Sequence, residues 1–118
     1  MNKDAVTELV EKYFAIWNET DDPARGALLE EVFTPDATYT DPTVTAEGLT
    51  AIGEYIAAAR KNFGGMLFRY NTLLTHHDAV HFSWQVGSTD AEPVASGFDV
   101  AWFDGDRIGR LYGFFNGF

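Results

Sequence analysis

The sequence predicts an α+β fold in which helices pack on one face of an antiparallel sheet. Three observations carry that expectation. Apolar residues recur at helical spacing through the first half of the chain, from Val6 to Phe63. From Met66 onward the period drops to two. Between two of these later runs, Asp104-Gly105 is a strong hairpin turn. A length of 118 residues suits one domain covering 1–118, able to bury roughly two-thirds of the surface its unfolded chain exposes.

In the first helix Val6, Leu9, Val10, Tyr13, Phe14 and Trp17 make one apolar stripe, with Glu8 and Glu11 outside it and Asp4 the expected N-cap. Thr20-Asp21-Asp22-Pro23 breaks this helix. Asp22 then reads as N-cap and Pro23 as first residue of a second helix carrying Leu28, Leu29, Val32 and Phe33. Thr34-Pro35-Asp36 should end it, and a short strand from Ala37 to Asp41 should stop at Pro42. A third helix is expected from Gly48, with Ile52, Tyr55, Ile56, Ala59 and Phe63 on its stripe and Gly64-Gly65 as its stop.

Phe68, Tyr70, Thr72 and Leu74 then alternate, His76-His77-Asp78 marks a turn, and Val80, Phe82, Trp84 and Val86 form the next strand face. Ser88 to Pro93 reads as a loop, Ala95 to Phe103 as a strand, and Arg107 to Phe115 as its hairpin partner. Along the strand from Ala95, Gly97, Asp99, Ala101 and Phe103 share one face, and Phe98, Val100 and Trp102 the other. Both faces are largely apolar and helices can cover only one, so a homodimer through the sheet is expected.

Composition narrows the function. The chain has 18 acidic against 8 basic residues, a net charge of −10, and 46% hydrophobic residues. That is too apolar for a disordered acidic chain, and it lacks the basic stripe that nucleic acid or an anionic membrane requires. The absence of cysteine excludes disulfides, zinc thiolate sites and thiol catalysis. Met1-Asn2-Lys3-Asp4 does not read as a signal peptide, and a cytoplasmic protein is the default expectation. The 18 aromatics, by contrast, exceed what a lean core needs.

Asp99 is the most informative candidate. It sits mid-strand in Gly97-Phe98-Asp99-Val100-Ala101-Trp102-Phe103 with apolar neighbours on both sides. A carboxyl buried there must be paired or have its pKa pushed up, and perturbed acids cluster at active sites. Asp41 in Tyr39-Thr40-Asp41-Pro42 reads either as turn chemistry or, if it faces the same cavity, as a functional acid. Tyr13 is either a core tyrosine or an oxyanion donor. His77 and His81 are four apart, but with strands and a turn between them they suggest solvated turn residues, and no metal site is expected.

Tyr13 and Trp17, the run Phe33-Thr34-Pro35-Asp36-Ala37-Thr38-Tyr39-Thr40-Asp41-Pro42, and Gly97-Phe98-Asp99 before Asp104-Gly105-Asp106-Arg107-Ile108 resemble the nuclear transport factor 2-like superfamily. More narrowly, the chain is similar to SnoaL-like polyketide cyclases and ketosteroid isomerases. The resemblance implies a conical fold, three N-terminal helices on a strongly curved antiparallel sheet enclosing an apolar cavity, and dimerisation through that sheet. By the isomerase pattern Asp41 is the general base, Tyr13 the oxyanion tyrosine and Asp99 a second, protonated oxyanion donor. By the cyclase pattern Asp99 is itself the acid/base, partnered by a histidine on the preceding strand, for which His81 is the nearest candidate.

The expected function is therefore an enzyme abstracting a proton alpha to the carbonyl of a small hydrophobic molecule, with no cofactor because the carbonyl is the electron sink. Trp17, Tyr39, Phe63, Phe68, Trp84 and Tyr112 are the candidates to line its cavity. The competing expectation is a non-catalytic dimeric module that binds a hydrophobic ligand or partner through the same cavity.

Overall fold

A computed structural model describes residues 1–88 and 92–117; positions 89–91 of the expected Ser88–Pro93 loop lie outside them. Helix α1 spans Lys3–Asn18, one turn of it fixed by Asn2, whose side chain accepts a 2.8 Å hydrogen bond from the Ala5 amide. The cap is thus Asn2 rather than Asp4: an N-cap side chain reaches the amide three residues on, and Asp4 instead lies in the first turn, where its charge suits the helix dipole. Helix α2 (Asp22–Val32) shifts in the same way, capped by Asp21 on the Ala24 amide rather than by Asp22. Buried Arg25 fastens the two helices, donating to Asp22 at 2.7 Å and to the Glu19 carbonyl at 2.6 Å.

Strand β1 (Phe33–Asp41) starts earlier than expected. Phe33 belongs to it rather than to α2, and Thr34-Pro35-Asp36 is an irregular stretch of strand, with Pro35 and Asp36 exposed where the register slips. A proline without an amide is tolerated at such a bulge. Strand β2 (Val44–Glu47), which no sequence pattern announced, folds back on β1. Helix α3 (Leu49–Arg60) follows, then a 3₁₀ turn over Lys61–Phe63. The helices are therefore not all N-terminal, because two strands precede α3.

Strands β3 (Leu67–His76), β4 (Ala79–Gly87), β5 (Ala95–Asp104) and β6 (Arg107–Phe115) complete an open six-stranded sheet in the order β2-β1-β6-β5-β4-β3. All neighbours are antiparallel except β1 and β6, which run parallel. On the inner face Phe82, Val80, Ala101, Leu111 and Ile108 meet the α1 stripe and Ile52 and Ile56 of α3.

The outer face carries the other parity. His81 stacks on Phe98 at 5.0 Å, Phe98 on Phe114 at 4.8 Å, and the Arg110 guanidinium lies 4.1 Å over the Trp102 ring. Tyr112 is on this face too, 39% exposed and edge-on to Trp102, so it does not line the interior as expected. The reason is a one-residue bulge: Phe103 pairs with Ile108 but Trp102 with Arg110, so Gly109 is extra and every later side chain of β6 changes sides. Among the described residues no helix is long and apolar enough to cross a membrane.

Candidate active site

Between α1, α3 and the inner sheet face lies a pocket of about 570 Å³. Trp17, Tyr39, Phe63, Phe68 and Trp84 line it, together with Tyr13 and Asp99. Trp17 is delivered by the last turn of α1, which is tied to strand β3 by Asn18: its carboxamide accepts from the Phe68 amide at 2.8 Å and donates to the Phe68 carbonyl at 2.9 Å. Arg60, at the end of α3, donates to the Trp17 carbonyl at 2.9 Å. Three elements therefore hold the aromatic wall in place. Exposed Asn62 and Asn116, with Ser96, mark the pocket's open end.

Asp99 arrives on the inner face because Gly97, Asp99 and Ala101 share the buried parity of β5. It is only 4% exposed, and burial pushes its carboxyl well above the usual carboxylate range. Hydrogen bonding from the Tyr13 hydroxyl works against that shift, the negative charge of Asp41 adds to it, and Trp84 hydrogen bonding again opposes it. Tyr13 is fully buried and its pKa is raised well above 10.0 by desolvation first and then by Asp99, so it stays a donor.

Asp41 is placed differently from the expectation. It is buried at the end of β1 but is not part of the pocket wall, because donors surround it. Its Oδ2 accepts from the Tyr39 hydroxyl at 2.7 Å and the Tyr55 hydroxyl at 2.5 Å. Its Oδ1 accepts from the Thr43 amide and the Thr43 hydroxyl, both at 2.8 Å. The Asp-Pro-Thr turn into β2 makes this cage, an Asx-type turn completed by two tyrosines. Burial and the Asp41 hydrogen bond push the Tyr55 hydroxyl up to about 12.

The two carboxyl groups nevertheless belong to one row of the sheet. Asp99 pairs with Gly113 across β5–β6, and β1 runs alongside β6 with Thr40 opposite Tyr112. A side chain at Gly113 would sit 3.0 Å from Asp99 Oδ1, 3.4 Å from Asp41 Cβ and 3.7 Å from the Tyr39 hydroxyl. Glycine there is what leaves room for the acids to approach.

Sequence reasoning missed Tyr55, Thr43 and Gly113 as parts of the site. Tyr55 read as core stripe, and only the Asp-Pro-Thr spelling hinted at Thr43. His81, the candidate partner for Asp99, lies on the opposite face against Phe98. Among the described residues no group of three or more His, Cys, Asp or Glu is placed to hold a metal.

The sequence model of the SnoaL-like domain matches residues 10–111. No curated protein sequence matches the chain. Among solved structures, a candidate isomerase of the SnoaL-like family from Agrobacterium tumefaciens superposes with a TM-score of 0.88 at 33% identity, covering 97% of this chain and 99% of that one. A candidate polyketide cyclase from Sinorhizobium meliloti is similar at a TM-score of 0.71 and 23% identity, over 90% and 93% of the two chains. A Catenulispora acidiphila protein with a ketosteroid isomerase-like fold, solved with trimethylamine, gives 0.73 and 20% over 90% and 83%. The last two likenesses speak to the fold.

Proposed function

The chain belongs to the SnoaL-like family, and from that premise we propose that it is an acid–base enzyme of small apolar carbonyl compounds in which Asp99 takes and returns the proton. One observation carries the choice of Asp99: it lines the pocket, whereas both oxygens of Asp41 are engaged by four donors behind the wall.

Ionised Asp99 removes a proton alpha to the ligand carbonyl, and the C–H pair becomes the enolate. Asp99 is neutral once it holds that proton. Tyr13 and Trp84, which had been stabilising its charge, are then free to stabilise the new charge on oxygen. Returning the proton at a different carbon gives an isomer; attack of the enolate on a second carbonyl closes a ring. Burial raises the basicity of Asp99 toward that of its task, as general base catalysis favours. Asp41 is a positioning residue, holding the Tyr39 and Tyr55 rings and adding to the basicity of Asp99.

The test is exchange of the alpha protons of 2-tetralone and of monocyclic and linear ketones in D₂O, followed by proton NMR. Wild type should accelerate exchange, increasingly as pH rises and Asp99 ionises. Asp99→Asn should return to background, and Asp41→Asn should retain measurable exchange. Asp99→Asn matching wild type would refute the assignment. Exchange of no ketone by wild type would favour the non-catalytic binding module.

The same premise extends to assembly: a second copy of the chain covers the outer sheet face. Phe114 at 42% and Tyr112 at 39% exposure support this, standing in one patch with Phe98 and Trp102. Phe114→Glu should shift the sedimentation of a dimer to that of a monomer, and a wild-type monomer would remove the proposal.

A further inference from the structure

The pocket contains an imbalance of charge. Asp99 opens onto it from the sheet, and Asp41 stands two strands away on β1, in the tyrosine cage. No lysine, arginine or histidine lines the pocket among the described residues. The ion pairs among the described residues lie outside the pocket, Lys12 with Glu31 and Arg25 with Asp22. Of the cations adjacent in sequence to lining residues, Arg60 beside Ala59 is turned onto the Trp17 carbonyl, Lys61 beside Asn62 is exposed, Lys12 beside Tyr13 pairs with Glu31, and Arg69 beside Phe68 is not among the lining residues. The groups that act on Asp99 are Tyr13 from α1, Tyr39 and Asp41 from β1 and Trp84 from β4, none of them a cation.

The walls add a second observation. Trp17 and Tyr55 meet with ring centroids 6.4 Å apart at 88°, and Phe63 and Phe68 at 5.5 Å and 85°. Tyr39 lies 5.3 Å from Tyr55 and 6.5 Å from Trp17. Rings standing at right angles on several sides of one space offer both faces and edges to its contents, and aromatic faces attract organic cations. A carboxylate at the same wall adds charge to that attraction.

We propose that this pocket takes an organic cation, an ammonium group carried on an apolar body, seated against Trp17, Tyr55 and Trp84 with its charge toward Asp99. The ligand supplies the counter-charge that the chain withholds. The inference rests on the acid–base reading and deepens it, since an ammonium beside Asp99 favours the ionised form that a base requires. A carboxylate or phosphate ligand would face two acids and no base, and is rejected.

The test is calorimetric titration with three probes: (2-naphthylmethyl)trimethylammonium, whose charge does not vary with pH, 2-naphthylmethanol and 2-naphthoate. The ammonium should bind at least tenfold tighter than the alcohol at pH 8, and 2-naphthoate weakest. Its affinity should rise with pH as Asp99 loses its proton, with measurable proton release, while that of the alcohol stays flat. Asp99→Asn should remove most of the advantage. Should that variant not fold, the pH dependence of the wild type decides alone. Equal or tighter binding of the alcohol, or no binding of the ammonium, would overturn the proposal. The order of affinities needs no turnover, so it can fail while Asp99-dependent exchange stands, and the reverse.

Discussion

Replacing Asp99 by Asn should make the protein's stability less sensitive to pH. In the unfolded chain an aspartate releases its proton near pH 4. In the folded protein burial holds that proton to higher pH. Over the window between those two values the native state binds more protons than the unfolded state, so stability falls as pH rises. One proton sets the limit at about 1.4 kcal/mol per pH unit. Below the window both states are protonated, and above it both are ionised, so the loss is flat at each end. Asparagine has no such window. Its amide meets the donors of Tyr13 and Trp84 less well than a carboxylate, but that offset does not change with pH. Denaturant unfolding of both proteins from pH 3.5 to 8, followed by tryptophan fluorescence, gives the difference directly. Asn minus Asp should climb from pH 4 upward and then level off where Asp99 ionises. The other carboxylates cancel in the subtraction, apart from Asp41, whose coupling to Asp99 shapes the upper end. A difference constant across the range would refute the argument, because Asp99 would then titrate as it does in water.

Asp41→Asn removes a charge held by four donors and should destabilise the fold by about 2–3 kcal/mol, the scale of hydrogen bonds to ionised groups; it should also move the pH profile of exchange downward, since Asp41 raises the pKa of Asp99. Gly113→Ala places a methyl 3.0 Å from Asp99 Oδ1 and should cost about 1–3 kcal/mol as overpacking, with exchange activity falling further than the melting temperature alone would suggest. Phe82→Ala empties the space between the Tyr13 and Phe14 rings, at 5.6 and 5.5 Å, for a loss of about 3–5 kcal/mol in denaturant unfolding. Asn2→Ala should lower stability by about 1 kcal/mol and Asp4→Ala by less, because Asn2 is the cap.

The readable parts of this fold were those set by local periodicity. The α1 stripe from Val6 to Trp17, the parity that buries Asp99, and the Asp104-Gly105 hairpin each follow from a few neighbouring residues. Errors arose where one residue changes the count. Gly109 adds a position to β6 and sends Tyr112 outward, and caps one residue earlier than expected at α2 and two earlier at α1 move both helix starts. Strand β2 has only four residues, too short to show a period, and its pairing with β1 is what delivers Thr43 to Asp41.

The roles of the two acids could not be read at all, and the reason is topological. Asp41 and Asp99 lie 58 positions apart in the chain, and only the parallel pairing of β1 with β6 sets them on one row, with Gly113 between. Two strand spacings put their backbones about 10 Å apart. At that separation the Asp41 charge can act on Asp99 through a protein interior without the two sharing a proton. Composition treats them as equivalent, and so does the family pattern, which allows either to be the base. Their surroundings separate them. Asp41 meets four donors, which occupy its lone pairs; Asp99 meets two, from Tyr13 and Trp84, along with burial, a like charge and an open pocket. On the proposed reading, the carboxylate satisfied on every side holds the site together, and the one that faces the open pocket carries the proton.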